Sequence, residues 1–463
     1  MKENSTICAV ATGQGGAIGI VRVSGPNAVL FTDRIFRSPR EGFSLMEARP
    51  NTIHFGHIID DGNVILDEVL VSVFQAPHSY TGENATEISC HNSPYILQRI
   101  MELLVDEGCQ LAAPGEYTQR AFLNGKMDLS QAEAVADLIA SQTASSHRLA
   151  IKQLKNGFSK EFVFLREKLL KITALMELEL DFSDHEELEF ADRKTLMELL
   201  HEIQHKISRL ASSFQYGNAI KRGIPIAIVG ETNVGKSTLL NTLIGEDKAI
   251  VSNIHGTTRD VIEDVYNIDG CLFRFFDTAG IRHTDDDVEQ LGINRTYQKI
   301  EESSFILWLV DAGEVLARKE IPLLERLQGY ENILLVCNKC DLLDEGQENE
   351  LKSLLDNSSY QHICISAKQQ TNIDGLKSIL LSLVGHYQHD DNEYTVTNLR
   401  QYEQLKKALQ CADRVEAGLT NGTPTDLVSE DLRECLRHLA EIVGEISSAD
   451  ILHDIFSKFC VGK

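Results

Sequence analysis

Residues 230–237 read GETNVGKS, a pattern in which glycines, a lysine and a serine stand at the spacing that can hold a nucleotide phosphate. The apolar run IPIAIV precedes the pattern and TLLNTLIG follows it, so the strand, loop and helix that a phosphate loop requires are all indicated. Backbone N–H groups would surround the β-phosphate, Lys236 would bridge the β- and γ-phosphates, and Ser237 would bind Mg²⁺. The predicted phosphate-loop contacts are Asn233, Val234, Gly235, Lys236, Ser237 and Thr238.

Two motifs further along the chain could contact Mg²⁺ and the γ-phosphate, which argues against a chance match of this loop with an unrelated turn. DTAG begins at Asp277, directly after the strand-like run CLFRFF, and would place this aspartate near Mg²⁺ and the N–H of Gly280 at the γ-phosphate. TTRD precedes DTAG and offers Thr258 as the second hydroxyl ligand of Mg²⁺. The predicted nucleotide contacts in DTAG are Asp277, Thr278, Ala279 and Gly280.

Two more motifs could recognise the base. NKCD, at residues 338–341, follows the strand-like run NILLVC, and SAK, at residues 366–368, follows HICI. The two oxygens of Asp341 can accept hydrogen bonds from the ring N–H and the exocyclic amine of guanine, whereas adenine has no such donor pair at that edge. We therefore predict GTP rather than ATP. The predicted contacts are Asn338, Lys339, Asp341, Ser366, Ala367 and Lys368.

The NKCD stretch also contains Cys337 and Cys340 at the CxxC spacing of a redox centre or half of a zinc site. Since NKCD explains the position and no second pair is spaced to complete a zinc site, this alternative is not favoured. Ile281 follows DTAG, so the glutamine that orients the attacking water in Ras-like enzymes is absent from that place. The next loop is rich in carboxylates, and the residue types alone do not choose among them.

Cys460 stands four residues from the end, in FCVGK, and has three explanations. A prenyl anchor is disfavoured because glycine stands where an aliphatic residue is expected, the last residue is lysine and no polybasic stretch precedes it. A packed structural thiol stays open. A thiol activated by a nearby ammonium, such as that of Lys463, would instead take part directly in chemistry.

Composition limits the class of protein. With 463 residues and 43% apolar content the chain suggests about three globular domains. The formal charge of -25 argues against a broad basic face for nucleic acid, so a partner would supply much of the binding to RNA. No apolar run approaches the roughly 20 residues of a membrane helix, and no secretory signal opens the chain. Ten cysteines without framework spacing fit reduced thiols, so we predict a cytoplasmic protein without membrane contact.

Hydrophobic periodicity divides the chain into blocks. Residues 1 to about 120 alternate β-type runs with Gly, Pro and Asn, as in an α+β domain. Long amphipathic helices follow, opened by a predicted capping box from Ser130 to Glu133, and helices return after residue 395 with apolar faces marked by Leu399 and Leu432. Between the helical blocks, strands alternate with helices as in a parallel α/β sheet. The simplest architecture is one helical bundle with the α/β domain inserted into it.

Taken together, GxxNxGKS, TTRD, DTAG followed by DxVE, NKxD and a terminal CxGK closely resemble the MnmE (TrmE) family of tRNA modification GTPases, of the TrmE-Era-EngA type. The resemblance runs through the whole chain and includes GGAIGIVRVSGP, APHSYTGENATEISCH, APGEYTQRAFLNGKMDLSQAEAVADLI and ELDFSD. It implies a multidomain fold with an α+β folate-binding domain, an all-α helical bundle and an inserted Ras-like α/β P-loop G domain. The expected boundaries are 1–120 for the N-terminal tetrahydrofolate-binding and dimerisation domain, 121–217 and 385–463 for the helical domain, and 218–384 for the G domain.

The resemblance also implies a K⁺-stimulated GTPase, activated when G domains dimerise, that serves the addition of an aminomethyl or carboxymethylaminomethyl group to C5 of the wobble uridine of tRNA. The implied donor is 5,10-methylene- or 5-formyl-tetrahydrofolate. The implied assembly is a homodimer that forms a heterotetramer with an FAD- and NADH-dependent partner. The alternative is a GTP-dependent RNA-binding protein of ribosome assembly, which would predict a basic appendage and would leave the N-terminal domain and Cys460 unexplained.

Site residues follow from matching positions. The resemblance implies Glu289 as the water-orienting catalytic group and favours a direct role for Cys460 in the modification step. The implied folate contacts are Arg22, Glu87, Lys126 and Lys463, and the implied K⁺ ligands are Asn233, Ser252, Ile254 and Thr257. The loop expected to line GTP comprises Ser252, Asn253, Ile254, His255, Gly256, Thr257 and Thr258, of which His255 has no role of its own.

Overall fold

The structure is a computed structural model of the chain. It describes residues 5–13, 15–60, 62–181, 193–244, 263–268, 271–277, 303–319, 330, 332–358, 360–385, 394–446, 449–457, 459 and 462. The chain forms two compact units, one of Met1–Ala136, Lys152–Gln204 and Lys407–Lys463, and the other of Asp137–Ile151 and His205–Lys406. These units do not test the predicted domain boundaries, which stay predictions.

The N-terminal part of the chain builds a seven-stranded sheet in the order β3-β4-β5-β6-β2-β1-β7, antiparallel except for the pairing of β1 with β7. Its elements are β1 (Ile7–Val10), β2 (Ile18–Ser24), α1 (Ala28–Ile35), β3 (Phe36–Arg37), β4 (Thr52–Ile59), β5 (Ile65–Phe74), β6 (Ala85–His91), α2 (Pro94–Asp106), β7 (Gln110–Leu111) and α3 (Glu116–Leu123).

Alternation along β5 decides which face of this sheet is buried. Val69, Val71 and Val73 are at most 2% exposed and belong to a core with residues of α1 and α2, whereas Leu70, between them, is 47% exposed. Side chains of a strand point alternately to opposite faces, so one face of the sheet is covered by helices. The predicted α+β character of this part is confirmed.

Long helices follow, at α4 (Leu129–Ala140), α5 (Ala144–Asn156), α6 (Ser159–Asp181) and α7 (Arg193–Arg222). The capping box at the start of α4 lies two residues earlier than predicted. Asp128 Oδ1 accepts from the Gln131 N–H at 2.8 Å, and Gln131 Oε1 accepts from the Asp128 N–H at 2.9 Å. Ser130 instead donates to Asp128 at 2.6 Å, so the aspartate, which accepts more strongly, caps the helix.

The next part of the chain forms a six-stranded sheet in the order β13-β12-β11-β8-β10-β9. All pairs are parallel except β9 with β10 at the edge. The elements are β8 (Ile224–Val229), α8 (Lys236–Ile244), β9 (Glu263–Ile268), β10 (Cys271–Asp277), β11 (Phe305–Asp311), α9 (Ala312–Arg318), β12 (Ile333–Asn338), α10 (Glu345–Asp356), β13 (Gln361–Cys364) and α11 (Ile373–Gly385).

Strand β8 shows why its sequence is a continuous apolar run. Ile226 and Ile228 belong to one buried cluster, and Ala227 and Val229 belong to another. A strand that is buried on both faces has no polar side to present, which is the expectation for a parallel α/β sheet. The predicted α/β character of this block is confirmed.

Three helices complete the described chain, at α12 (Leu399–Asn421), α13 (Thr425–Val443) and α14 (Ala449–Phe456). Helix α13 packs against α6, so helices from before and after the α/β sheet share one core, as an inserted domain requires. The predicted apolar face holds at Leu432, which is 1% exposed, but not at Leu399, which is 54% exposed. Leu399 is exposed because it is the first residue of α12 and lies before the buried part of the helix.

Within the described residues, no helix combines the length and the apolar character that crossing a membrane requires. The nine cysteines in that part of the chain are all free thiols.

Candidate functional site

The predicted phosphate loop lies between β8 and α8, as its sequence context requires. Gly235 has a φ of +101°, and a Cβ at this position would lie 2.3 Å from Asn338 Nδ2. Both the backbone conformation and the close approach exclude a side chain. Gly235 is therefore needed so that the loop can pass directly over NKCD.

The side chain of Lys236, the first residue of α8, folds back over the phosphate loop. Its Nζ donates to the carbonyl oxygens of Gly230 at 2.8 Å and Glu231 at 2.9 Å. Ser237 and Thr238 are exposed at the N-terminus of the same helix, where N–H groups and the helix dipole favour an anion. The loop thus presents an ammonium, two hydroxyls and a helix N-terminus to one region of solvent.

Asn338 joins three of the predicted motifs. Its side chain is 3% exposed, its Nδ2 donates to the carbonyl oxygen of Val234 at 2.8 Å, and its Oδ1 accepts from the Ala367 N–H at 2.9 Å. Both ends of the amide are used by the protein. Asn338 therefore fixes the phosphate loop and the SAK loop relative to each other, a role the sequence analysis did not separate from base contact.

Asp341 lies in the 3₁₀ turn Cys340–Leu342 and its side chain is exposed, as contact with a base requires. Lys339 precedes it with a φ of +66°, and its Nζ lies 2.8 Å from Asp311 Oδ2. Ser366 and Thr371 close the SAK loop by two backbone hydrogen bonds of 3.1 and 3.0 Å. The predicted base contacts are thus held by side chains and backbone on both sides of Asp341.

The structure adds a third thiol to the CxxC pair. Cys364 on β13 is the register partner of Cys337 on β12, and Cys340 Sγ donates to the carbonyl oxygen of Cys337 at 3.4 Å. Hydrogen bonds from Cys337 and Cys340 lower the pKa of the Cys364 thiol. The sequence contained a signal for this pairing, since Cys337 and Cys364 both lie at the carboxyl end of a strand that leads into a nucleotide motif, and parallel register places them side by side.

A second cluster lies in the N-terminal sheet. Arg22 on β2 and Glu87 on β6 are register partners, and Arg22 Nη2 lies 2.7 Å from Glu87 Oε1. Arg22 Nη1 also donates to the carbonyl oxygen of Gly462 at 3.2 Å. The structure therefore brings together two of the four predicted folate residues and Gly462, which belongs to the CVGK motif of residues 460–463.

Two tyrosines that the sequence analysis missed flank Arg22. The guanidinium carbon lies 5.8 Å from the ring centre of Tyr80 and 5.6 Å from that of Tyr117, both within cation–π range. Burial raises the pKa of both phenols, so they are neutral near pH 7. Neither tyrosine belongs to a spaced motif, although both lie in stretches that carry the family resemblance.

Lys126, the third predicted folate residue, contacts the same region from another direction. Its Nζ donates to the carbonyl oxygen of Pro77 at 2.9 Å, in the loop that carries Tyr80. The amine is exposed, so it is accessible to an anionic group of a ligand.

Several predicted residues lie outside the described part of the chain. They are Glu289, Cys460, Lys463, Ser252, Asn253, Ile254, His255, Gly256, Thr257, Thr258, Thr278, Ala279 and Gly280. Asp277 is described as the last residue of β10 but not in its side chain.

Known proteins match along the whole chain. The profile described as "GTP-binding protein TrmE N-terminus" matches residues 6–126, and that of the "MnmE helical domain" matches residues 129–460. Proteins named tRNA modification GTPase MnmE from Bacteroides fragilis and Bacteroides thetaiotaomicron are each 54% identical over 100% of both chains. The Flavobacterium johnsoniae protein of that name is 47% identical over 100% of both chains.

Among solved structures, Era in complex with MgGDPNP and 16S ribosomal RNA covers 40% of this chain and 65% of its own, at 28% identity and a TM-score of 0.28. A TM-score this low does not establish a shared overall fold. The full-length relatives and both profiles confirm the resemblance inferred from the motifs, and with it the multidomain fold and the GTPase class. The chain therefore belongs to the MnmE family of tRNA modification GTPases.

Proposed function

We propose that this chain is the GTP-hydrolysing component of an enzyme system that adds an aminomethyl or carboxymethylaminomethyl group to C5 of the wobble uridine of tRNA. The observation that carries the proposal is the hydrogen-bonded link through Asn338, which assembles the phosphate loop and the SAK loop into one nucleotide site. Full-length relatives named for tRNA modification give that site its biological context. Mass spectrometry of the wobble uridine in tRNA from cells with and without the chain tests the proposal.

Within the nucleotide site, we assign the γ-phosphate and Mg²⁺ end to Lys236, Ser237 and Thr258 and the guanine end to Asp341. Mg²⁺ would neutralise charge that develops on the phosphate oxygens during hydrolysis. Glu289 would orient the attacking water, in place of the glutamine that Ile281 replaces. Dimerisation of G domains would complete this site, so GTP hydrolysis would act as a switch on the modification step.

Potassium should stimulate GTP hydrolysis, and Asn233 should be required for this effect. Asn233 has a φ of +65° in the phosphate loop and an exposed side chain, whose oxygen can join Ser252, Ile254 and Thr257 in an oxygen cage. A cation beside the phosphates would stabilise the transition state as an arginine finger does. We expect Asn233→Ala to lower turnover in K⁺ by roughly 10²–10³-fold, to the rate seen in Na⁺.

The control is Asn357→Ala, an exposed asparagine of the same sheet domain whose side chain donates to the carbonyl oxygen of Ser353. It should keep full K⁺ stimulation in the same phosphate-release assay. Equal turnover of the unsubstituted protein in K⁺ and Na⁺ would refute the cage.

We further propose that a tetrahydrofolate derivative, 5,10-methylene- or 5-formyl-, binds beside Arg22. The residues fit this ligand: Tyr80, which is neutral and 40% exposed, offers aromatic surface for a pterin ring, and the Glu87 carboxylate can accept from ring N–H groups. Tyr117 is fully buried and would support Arg22 from behind. Lys126 and Lys463 would bind the anionic tail. When bound, folate would supply a one-carbon unit. The protein's part would be to orient it next to Gly462, whose carbonyl oxygen accepts from Arg22.

We propose that the chain is a homodimer through the outer face of its N-terminal sheet. Phe55 on β4 and Leu70 on β5 are register partners and are 51% and 47% exposed, and Ile53, two residues along β4, is 65% exposed. These three side chains form an apolar patch on the face that helices do not cover. Such a patch marks an interaction surface.

A Phe55→Asp variant should therefore become monomeric. Two copies of an unpaired carboxylate would be buried in the interface, and we expect the dissociation constant to rise by roughly two orders of magnitude or more. Val105→Asp, at a 41% exposed apolar position on α2, is the matched control and should stay dimeric in light scattering after size exclusion. A dimeric Phe55→Asp variant would rule out this face.

The formal charge of -25 fits a protein that does not hold tRNA alone. We propose that an FAD- and NADH-dependent partner forms a heterotetramer with the dimer and supplies the basic surface that tRNA binding requires.

A further inference from the structure

Helices α12 and α13 bring together a thiol, a carboxylate and an imidazole that neither GTP nor folate uses. One ligand atom each of Cys411, Glu434 and His438 lies within 4.8 Å of the other two. Glu434 and His438 are four residues apart on α13 and therefore share one face of that helix, while Cys411 faces them from α12. The cluster is thus formed by residues of two helices and not by neighbours within one helical turn.

Two of the three side chains in the cluster are largely buried, and the third is partly exposed. Cys411 is 2% exposed and the His438 side chain is 11% exposed, whereas the Glu434 side chain is 38% exposed. The sulfur and the imidazole are therefore largely shielded from solvent, and the carboxylate is partly exposed to it. Ligand atoms of a tetrahedral zinc site lie about 3.3–3.8 Å apart, so small side-chain rotations would bring the three atoms to binding distance.

A positive group already sits against this cluster. Arg414 Nη2 donates to Cys411 Sγ at 3.3 Å and to Glu434 Oε2 at 2.5 Å, while its Nε donates to Asp431 Oδ1 at 2.6 Å. The cluster therefore attracts a cation. Because Nε is held by Asp431, the guanidinium can release its Nη2 contacts and still keep its ion pair.

A second thiol lies next to Glu434 on α13 but does not belong to the cluster. Cys435 is not a fourth ligand in this arrangement, since its Sγ donates to the carbonyl oxygen of Ala408 on α12 at 3.3 Å.

We propose that Cys411, Glu434 and His438 bind one Zn²⁺ ion between α12 and α13, with water as the fourth ligand. Sulfur, nitrogen and oxygen ligands with one open position suit this metal. On binding, the S–H bond of Cys411 breaks, its proton goes to solvent, a Zn–S bond forms and Arg414 Nη2 moves away. The ion would fasten together the two helices that lead to α14 and the CVGK segment.

Cobalt is the probe, because Co²⁺ takes the place of Zn²⁺ and gives a visible spectrum. Titration of the metal-stripped full-length chain with Co²⁺ should give one equivalent of a four-coordinate spectrum with a thiolate-to-cobalt charge-transfer band. Cys411→Ser should remove the charge-transfer band, and Glu434→Gln, at the most exposed ligand, should weaken binding by about tenfold or more. Cys271→Ser, a half-buried cysteine of β10, is the control and should leave the spectrum unchanged.

Arg414→Gln gives an independent readout, since it removes the guanidinium that contacts both Cys411 and Glu434 and leaves the three ligands in place. Arg437, whose Nη2 lies 3.5 Å from Glu434 Oε1, does not contact the thiol and is retained. We expect it to tighten Co²⁺ binding by about tenfold, the effect of one charge-assisted hydrogen bond. Zn²⁺ should also raise the Tm of the unsubstituted protein but not of Cys411→Ser. The proposal is overturned if no charge-transfer band appears, if the band survives in Cys411→Ser, or if Arg414→Gln binds Co²⁺ no more tightly.

Discussion

An Asp341→Asn variant should lose turnover of GTP and gain turnover of xanthosine triphosphate. The carboxylate of Asp341 accepts from two guanine donors, and an asparagine amide can accept from only one of them because its nitrogen would face the exocyclic amine. The variant loses one charge-assisted hydrogen bond, keeps only a neutral bond in place of the other and sets two donor groups against each other, which together cost about 3–6 kcal/mol and raise the KM for GTP by roughly 10²–10⁴-fold. Xanthine carries a carbonyl where guanine carries the amine, so the asparagine amide restores both bonds.

The structure makes this substitution a clean test. Asp341 is exposed in its 3₁₀ turn, so the change should not disturb the buried Asn338 link. Asp344→Asn, three residues later, is the matched control: Asp344 caps α10, and asparagine caps a helix equally well. Steady-state kinetics with both nucleotides should show a switch in Asp341→Asn only. If Asp341→Asn keeps the KM of the unsubstituted protein for GTP, the assignment of the base site is wrong.

A Cys460→Ser variant should hydrolyse GTP within about twofold of the normal rate and yet give no modified tRNA. A thiolate is a far better nucleophile and proton acceptor than a serine hydroxyl, so the substitution removes reactivity without adding volume. The reason for placing this thiol in the modification step is that Gly462, two residues after it in sequence, accepts a hydrogen bond from Arg22 at the proposed folate site. Normal amounts of modified tRNA with Cys460→Ser would leave only a structural role for this thiol.

Gly462→Ala tests the same placement without touching the thiol. Gly462 has a φ of +93°, and a Cβ there would lie 2.5 Å from the carbonyl oxygen of Val10. An alanine must therefore shift the segment away from Arg22, and we expect tRNA modification to fall by at least about tenfold while GTP hydrolysis is kept. Full modification by this variant would mean that the docked position is not the active one.

The parts of the fold that the sequence could predict are those that depend on neighbouring residues. IPIAIV, GETNVGKS and TLLNTLIG form a strand, a loop and a helix because apolar periodicity and glycine spacing act over a few residues. The cap of α4 was misplaced within such a local pattern, because Ser130 and Asp128 both offer an oxygen and only the packed structure shows which one reaches the free N–H groups.

Contacts between distant residues could not be predicted in the same way. Asn338 was assigned to base recognition, yet its amide is taken up by Val234 and Ala367, which are far from it in sequence. Tyr80 and Tyr117 flank Arg22 only because separate segments of the chain meet there. The Cys411, Glu434 and His438 cluster has no spacing motif, since its thiol and its other ligands come from different helices.

The central claim is that GTP hydrolysis by this chain drives modification of the wobble uridine, and mass spectrometry of tRNA tests it most directly. Cells that lack the chain would be complemented with the unsubstituted protein or with the Lys236→Ala variant, which lacks the ammonium that would contact the phosphates. The account predicts modified wobble uridine with the unsubstituted protein, unmodified uridine with Lys236→Ala and normal ribosomal subunits in both strains. Fully modified wobble uridine in the absence of the chain, together with a defect in ribosome assembly, would contradict it.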